Sequence, residues 1–465
     1  MTLQKRNIFK LFIQALKGEN VDTTTGSIDR VIFMLAIPMI FEMFMESLFA
    51  VVDIFFVSRV STQAVAVVGL TESTLTIIYS LGFGLSMGAT ALVARRVGEK
   101  NINEAKVTAV QAIYGGIGIS LIISIIGIFY SRNILELMGA GPALVDYGVS
   151  YTRLMLSGNI TIMLLFLING IFRGAGDAGI AMRSLIIANG INIILDPMFI
   201  FGIGPFPELG LLGAAVATNI GRAIGVAYQI YHLVNGKSLI HLKGKIYGLK
   251  ADIIAKLVRV SAGATGQFII ASSSWIFLMS IMSNFGEQVL ASYTISIRIL
   301  IFTILPAWGI SNAAATLTGQ NLGAGLPERA EKAVWRTGYF NLIFMGIVTV
   351  IFVVFPANFL RIFTSEEVVI QEGVKCLRII CMGYIFYGYE MVLANAFNGA
   401  GNSKIPTMIN FVGFWLIQIP LAYFLAISLG LNSSGIYMAI PISESLMAVA
   451  FIILFRRGKW KLIKI

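Results

Sequence analysis

Long apolar stretches dominate this sequence, and short polar or basic segments separate them. A helix needs about 20 mostly apolar residues to cross the hydrocarbon core of a bilayer. By that criterion the pattern predicts twelve spanning helices, near residues 32–58, 65–94, 107–129, 145–170, 180–202, 209–235, 254–282, 288–318, 333–355, 372–398, 405–430 and 434–456. The predicted fold class is therefore all-α and integral to the membrane.

Composition supports this prediction. Hydrophobic residues make up 57% of the 465 residues and charged residues only 12%, whereas soluble globular proteins carry about 25% charged residues. Half the usual charge cannot cover a water-soluble surface of this size. The net charge of +11 does not indicate a nucleic-acid partner, because no dense basic domain is present to hold one.

The Lys and Arg residues instead indicate the topology. With the N-terminus inside, 26 of them fall on the predicted inner side and five on the outer side. Basic residues favour cytoplasmic loops. The sequence therefore predicts a multi-pass protein of the plasma membrane with both termini in the cytoplasm.

The predicted organisation has five parts. Residues 1–30 form a cytoplasmic tail, in which apolar residues recur at helical spacing between Lys5 and Lys17. This spacing indicates an amphipathic helix on the membrane surface, with a partner-binding helix as the alternative. The other parts are a six-helix lobe (31–235), a basic cytoplasmic linker (236–253), a second six-helix lobe (254–456) and a basic tail (457–465).

The two lobes align at a constant offset of 225 residues. Gly98 matches Gly323, and Phe172-Arg173-Gly174-Ala175-Gly176-Asp177 matches Phe397-Asn398-Gly399-Ala400-Gly401-Asn402. Since six spans precede the second lobe, both lobes enter the membrane in the same sense. The predicted architecture is two six-helix bundles related by a pseudo-twofold axis along the membrane normal, an arrangement that suits alternating access. Gene duplication without transport is the alternative.

The string 174–179 also fits the dinucleotide-binding pattern G-x-G-x-x-G. That pattern needs a preceding strand and a βαβ unit, whereas here it connects two predicted membrane helices. We interpret it as a tight turn.

Acidic residues inside the predicted spans are the most informative polar positions, because charge within a bilayer is costly unless it faces water or a partner. Glu42, Glu46 and Asp53 fall on one stripe of the first helix, and Asp196 stands one turn after Asn192 in the fifth span. Counting residues from the outer ends puts Asp53, Asp196, Tyr151 and Thr218 at a similar depth. The sequence thus predicts one polar site built from four spans.

We interpret this site as one for a coupling ion. Buried carboxylates can exchange protons near neutral pH, and the oxygens of Asp53, Asn192, Asp196 and Thr218 could instead bind Na⁺. The alternative is a structural pair of carboxylates that Arg153 neutralises. Pro38 removes a backbone hydrogen bond within the first span and permits a bend there, so we expect it to be a hinge.

The second lobe is poorer in acids. At the repeat offset Asp53 becomes Leu278 and Asp196 becomes Leu421, while Glu390 and Glu444 remain. Glu390 could contact substrate or be structural. The residues predicted to line a substrate cavity are Glu42, Glu46, Gln267, Arg298, Tyr387 and Glu390.

The cysteines and histidines do not indicate a metal centre. Cys376 and Cys381 lie in one apolar run without nearby partners, and His232 and His241 flank a basic loop in which we expect both to be solvated. We therefore expect no disulfide, no cofactor and no metal other than a coupling Na⁺.

These features resemble the multidrug and toxic compound extrusion (MATE) transporters over about residues 30–455. The resemblance rests on the two six-span halves and on an ordered set of motifs: Leu35-Ala36-Ile37-Pro38, Val52-Asp53, the 172–177 segment, Asn192-Ile193-Ile194-Leu195-Asp196-Pro197 and Gly213-Ala214-Ala215-Val216-Ala217-Thr218.

The resemblance implies a monomeric, non-enzymatic antiporter that exports drugs or other small organic compounds in exchange for H⁺ or Na⁺. In the DinF-like branch the coupling site uses residues matching Asp53, Tyr151, Asn192, Asp196 and Thr218, and the first span bends at a proline matching Pro38. The alternatives are a lipid-linked precursor flippase of the same superfamily, a metabolite exporter with no drug role, a membrane-embedded enzyme or a passive channel.

Overall fold

The computed structural model describes residues 5–18, 21–235, 238–242, 247–463 and 465. This part of the chain is helical and contains no strand, which confirms the predicted fold class. The helices of the first half are α1 Lys5–Lys17, α2 Ile28–Ser58, α3 Thr62–Gly98, α4 Ile102–Leu137, α5 Pro142–Ser157, α6 Asn159–Ala175, α7 Ala178–Phe201 and α8 Leu211–Val234.

The second half repeats this order. Its helices are α9 Ala251–Met282, α10 Glu287–Gly323, α11 Pro327–Val354, α12 Pro356–Leu360, α13 Glu367–Cys381, α14 Tyr384–Gly399, α15 Lys404–Asn410, α16 Ile419–Tyr423 and α17 Ser433–Arg456. Two π-helical segments, Phe411–Gln418 and Phe424–Ser428, join α15 and α16 into one continuous span. We call α2–α8 the N-lobe and α9–α17 the C-lobe.

These helices form the twelve predicted spans. Among the described residues, ten spans are long and apolar enough to cross a membrane, and α13 with α14 forms an eleventh that is bent by 52°. The twelfth is α2, whose 31 residues extend about 46 Å at 1.5 Å per residue.

The fourth and tenth spans are each divided into two helices, whereas the sequence predicts one continuous helix for each. Gly158 separates α5 from α6, and Met382 with Gly383 separates α13 from α14. Gly383 is the repeat counterpart of Gly158, so both lobes interrupt this span at the same position.

Four helices form the main contacts between the lobes. Helix α2 packs on α10, α3 packs on α9, and α3 crosses α10. At that crossing a Cβ on Gly98 would lie 2.0 Å from the Gln320 carbonyl oxygen, and one on Gly323 would lie 2.2 Å from the Arg95 carbonyl oxygen. This close approach of two backbones explains why the repeat keeps a glycine at both positions.

The end of the molecule at this crossing, here called the tail end, also carries the segments outside the spans. The carbonyl oxygens of Thr23, Thr25 and Gly26 accept hydrogen bonds from Arg329 of α11. Lys461 pairs with Glu328 and Glu331 of the same helix at 2.9 and 2.5 Å. The segment before α2 and the segment after α17 therefore both bind to α11 of the C-lobe at the tail end.

Two further predictions have outcomes here. The G-x-G-x-x-G string forms the tight turn between α6 and α7, with Gly176 in the left-handed region at φ 91°. His232 is not solvated as predicted: it is buried in the last turn of α8, with its ring against Tyr228 and Tyr231. Part of the basic linker lies outside the described residues.

Candidate functional site

A polar cluster joins α7 and α8 in the interior of the N-lobe. Asn192 and Asp196 stand one helical turn apart, so that Asn192 Nδ2 donates to Asp196 Oδ1 at 3.1 Å and to Thr218 Oγ1 at 3.3 Å. All three side chains are buried. Asn192 Oδ1 and Asp196 Oδ2 have no hydrogen-bond partner among the described residues, so two acceptor oxygens are left for a proton or a small cation.

Asp53 and Tyr151 complete this cluster from α2 and α5. Asp53 is 8% exposed and Tyr151 3% exposed. Helix α2 packs on α7, α7 packs on α8, and α5 packs on α8. The structure therefore places the helices that carry all five residues predicted for the coupling site in contact with one another. We call Asp53, Tyr151, Asn192, Asp196 and Thr218 the N-lobe site.

Arg222 of α8 is a buried cation in the same lobe as this site. The prediction of the coupling site from the sequence does not include it. Its Nη2 donates to the Tyr79 hydroxyl at 2.8 Å, and its guanidinium carbon lies 5.0 Å from the centroid of the Phe49 ring. Phe49 is about one helical turn from both Glu46 and Asp53 on α2, so the guanidinium lies beside the part of the helix that carries these two acids. A buried guanidinium of this kind compensates part of the negative charge of α2.

The alternative cation, Arg153, does not fill that role. Its side chain is exposed on α5, whereas Arg222 is 5% exposed. Two exposed charged residues, Glu72 on α3 and Arg298 on α10, belong to helices that pack on each other across the lobe boundary. Charged side chains therefore occur on both sides of that contact.

Glu42 lies in the lobe interior and not on a cavity wall, where the sequence predicts it. The side chain is fully buried and its Oε1 accepts from Arg173 Nη1 at 3.0 Å and from Asn169 Nδ2 at 3.1 Å. Arg173 Nη2 also donates to Ser86 Oγ at 2.6 Å. Glu42 therefore differs from the other acids of the α2 stripe in that side chains of α6 donate hydrogen bonds to it.

Gln267 has a similar interior position in the C-lobe. Its Nε2 donates to Asn398 Oδ1 at 3.0 Å, and Asn398 Nδ2 donates back to Gln267 Oε1 at 3.1 Å. Gln267 and Asn398 are the repeat counterparts of Glu42 and Arg173. The repeat matches these positions between the lobes, but no pattern in the sequence pairs Glu42 with Arg173 within one lobe.

The C-lobe holds two acids of its own, and one of them lines a small cavity. Glu390 and Glu444 lie on α14 and α17, which pack on each other. Glu444, Tyr384, Tyr387 and Gln418 line a cavity of about 40 Å³, which exceeds the space that one water molecule needs. Tyr384 OH, Gln418 Oε1 and Glu444 Oε2 have no partner among the described residues.

Pro38 lies inside α2, one turn before Glu42, and is buried. The next two residues, Met39 and Ile40, approach Gly309 of α10 so closely that a Cβ there would lie 2.6 to 2.7 Å from their backbone atoms. The predicted hinge therefore stands beside the contact through which α2 reaches the C-lobe.

Known proteins are similar to this chain over nearly its whole length. The family described as MatE matches residues 38–198 and 264–424, two segments that correspond to the two halves of the repeat. The probable multidrug resistance protein NorM of Thermotoga maritima is 26% identical over 453 residues, with 97% of each chain covered.

A second relative carries a different name. The FAD transporter of Shewanella oneidensis is 25% identical over 434 residues, covering 93% of this chain and 95% of the relative. Among solved structures, a MATE transporter in the straight conformation superposes with a TM-score of 0.88 at 25% identity, covering 97% of this chain and 98% of the other.

Proposed function

Because the chain belongs to the MATE family of transporters, we propose that it is a secondary active antiporter that exports small organic compounds in exchange for H⁺ or Na⁺. It is a multi-pass protein of the plasma membrane. The observation that carries the antiport proposal is the N-lobe site. There, two buried carboxylates stand on α2 and α7, which pack on each other, and Asp196 Oδ2 and Asn192 Oδ1 have no partner among the described residues.

The mechanism follows from the cost of buried charge. Two carboxylates in a poorly hydrated interior repel each other and lose hydration. A proton or Na⁺ at Asp53 and Asp196 removes that cost and favours tight packing of α2 against α7. Without the ion, the site favours hydration and a looser arrangement. Ion occupancy thereby selects between two packings of α2, with Pro38 as the point at which the helix bends.

The direction of exchange rests on the proposed topology. The tail end carries the basic segments and would face the cytoplasm. In this structure the tail end is closed by the crossing of α3 and α10. Coupling ions therefore enter from the opposite, external side, and substrate leaves in that direction.

Substrates would contact the surfaces between the lobes, where Glu46, Glu72 and Arg298 contribute charge. Organic cations suit the excess of acids there, and Met and aromatic side chains supply adaptable apolar contact. Export of an anionic metabolite is the second candidate, since one relative is a FAD transporter and Arg222 and Arg298 provide positive charge. We propose that the chain acts as a monomer.

The proposal is tested by fluorescent-dye efflux in everted vesicles under an imposed pH gradient or an imposed sodium gradient. We expect one of the two gradients to drive wild-type transport. Asp53→Asn and Asp196→Asn should abolish it with expression unchanged, whereas Asp146→Asn, at an exposed carboxylate paired with Arg132, should leave it unaltered. Full gradient-driven efflux in either N-lobe variant would refute the assignment.

A further inference from the structure

We propose that Arg222 and Tyr79 are positioning residues that pass the charge state of the N-lobe site to a stack of aromatic rings where the two lobes meet. The inference rests on the proposed function, since it assumes that Asp53 changes charge during transport. It adds the side chains through which that change would reach the lobe interface.

The ring stack consists of Phe83 of α3, Phe268 of α9 and Trp308 of α10. The Phe83 and Phe268 centroids are 5.2 Å apart and the Phe268 and Trp308 centroids 5.0 Å apart, with ring planes inclined by 20° and 10°. Phe83 and Trp308 are also stacked, at 6.0 Å. Because these rings come from both lobes, a change in the angle between the lobes must alter their stacking.

Continuous contacts connect this stack to Arg222. The Phe83 centroid lies 4.6 Å from that of Phe166 on α6. Phe166 in turn makes an edge contact with Tyr79, at 6.0 Å between centroids. The Tyr79 hydroxyl accepts the hydrogen bond from Arg222 Nη2 at 2.8 Å. A movement of the guanidinium is therefore transmitted through packed rings to the lobe interface.

Arg222 stands beside the part of α2 that carries Asp53, since its guanidinium lies over the ring of Phe49, one helical turn before Asp53. Its Nη1 is buried without a hydrogen-bond partner among the described residues, so the guanidinium is held by the Tyr79 hydroxyl, the Phe49 ring and long-range charge. The charged and titratable groups around Arg222 and Asp53 are Glu46 on α2, Glu72 and Tyr79 on α3, Tyr151 on α5, Asp196 on α7 and Arg298 on α10.

Neutralising Asp53 removes one attraction from this set and leaves those of Glu46 and Glu72. The guanidinium is then drawn toward the remaining carboxylates, and the hydrogen-bonded Tyr79 moves with it. The C-lobe has no such connection, since the repeat counterparts of Glu46, Tyr79 and Arg222 are Ala271, Ile304 and Met447. The relay would therefore act from one lobe only.

The test uses ¹⁹F NMR of the full chain labelled with 5-fluorotryptophan. The five tryptophans give few resonances, and Trp308→Phe assigns the one in the stack. We expect the Trp308 resonance to shift when the coupling ion is added or withdrawn, and to stop shifting in Asp53→Asn. In Tyr79→Phe the ring stays and the hydroxyl is lost, so the shift should fall at least about threefold and gradient-driven transport about tenfold, with dye binding within about twofold.

Tyr437→Phe is the matched control, because Tyr437 is a buried C-lobe tyrosine whose hydroxyl donates to Glu372 at 3.3 Å. It should leave the Trp308 shift unchanged. Arg222→Lys, which keeps the charge and loses the planar guanidinium, serves if Tyr79→Phe does not fold. A shift that survives in Asp53→Asn would overturn the proposed function itself. A shift abolished by Asp53→Asn but unchanged in both Tyr79→Phe and Arg222→Lys would overturn the relay alone.

Discussion

The two lobes have the same order of spans but opposite chemistry at equivalent positions. Each residue of the N-lobe site has a repeat counterpart that carries no charge, and only one of the five counterparts is a hydroxyl residue. The pairs are Asp53 and Leu278, Tyr151 and Cys376, Asn192 and Ile417, Asp196 and Leu421, and Thr218 and Ser443. The shared backbone therefore does not require a polar site, and this difference supports the proposal that the charge of the N-lobe serves ion coupling.

The C-lobe cavity makes the contrast sharper. It is lined by Leu278, Ile297 and Ile304, which are the repeat counterparts of Asp53, Glu72 and Tyr79. The same part of each lobe thus holds a charge network in one case and a largely apolar cavity in the other. Glu444 supplies a carboxyl group at its edge.

Nearer the tail end, each lobe has a side-chain pair at the same repeat positions, but only the pair in the N-lobe is charged. In the N-lobe, Glu42 of α2 forms an ion pair with Arg173 of α6. In the C-lobe, the equivalent residues Gln267 of α9 and Asn398 of α14 exchange two hydrogen bonds. An ion pair and a neutral amide pair therefore connect equivalent helices. Both lobes therefore join these two helices by side-chain hydrogen bonds, and we call each pair a joint. The connection itself does not depend on whether the pair is charged.

The largest effect should come from breaking the charged joint on one side. Arg173→Asn leaves Glu42 buried without its cation, and Glu42→Gln leaves Arg173 unpaired, so each should destabilise the protein by about 3–5 kcal/mol. The double variant installs the amide pair of the C-lobe and should recover most of the loss. Thermal unfolding in detergent measures this. A double variant as unstable as the sum of the singles would contradict the equivalence of the two joints.

A smaller and symmetrical effect is expected at the crossing of α3 and α10. Gly98→Ala and Gly323→Ala each place a methyl group against a carbonyl oxygen, and each should cost about 1–3 kcal/mol. Gly118→Ala on α4, where a Cβ meets nothing within 4 Å, is the control and should not destabilise. Unequal losses at Gly98 and Gly323 would show that the crossing is less symmetrical than its geometry.

The ion pairs of Lys461 should contribute less to the stability of the protein than the glycines at the helix crossing. Hydrogen bonds to Glu331 and Glu328 raise the pKa of this partly exposed ammonium above its usual 10.5. Its contribution is therefore fully present below that value and is lost only as pH rises through the raised pKa. Lys461→Met should cost up to about 1 kcal/mol, equally at pH 6 and pH 9. A loss that varies between these two pH values would indicate a different partner.

The smallest effect on transport should follow changes to the C-lobe acids. If ion coupling belongs to the N-lobe, Glu390→Gln and Glu444→Gln should reduce gradient-driven efflux by no more than about threefold, or roughly 0.6 kcal/mol. Asp196→Asn, measured in the same vesicles, provides the comparison. A C-lobe variant as inactive as Asp196→Asn would show that both lobes carry coupling ions.

Much of this can be predicted from the sequence, because apolar length, basic loops and the repeat are properties of the chain itself. The grouping of Asp53, Tyr151, Asp196 and Thr218 follows from counting depth along four spans. The roles of Arg222 and Tyr79 do not, since helical spacing shows which face a residue is on but not which helix packs there. For the same reason the sequence alone places Glu42 in the cavity and does not pair it with Arg173.

The most direct test of the account is a distance between the lobes at the end opposite the tail end. Leu137 and Ile362 are exposed, repeat-related residues there, and Cys376 and Cys381 are fully buried, so cysteines introduced at 137 and 362 can be spin-labelled selectively. Adding or withdrawing the coupling ion should change the distance distribution in the otherwise wild-type chain and leave it fixed in Asp53→Asn and Asp196→Asn. The same ion-dependent change in both variants would contradict the claim that these two carboxylates select the open side.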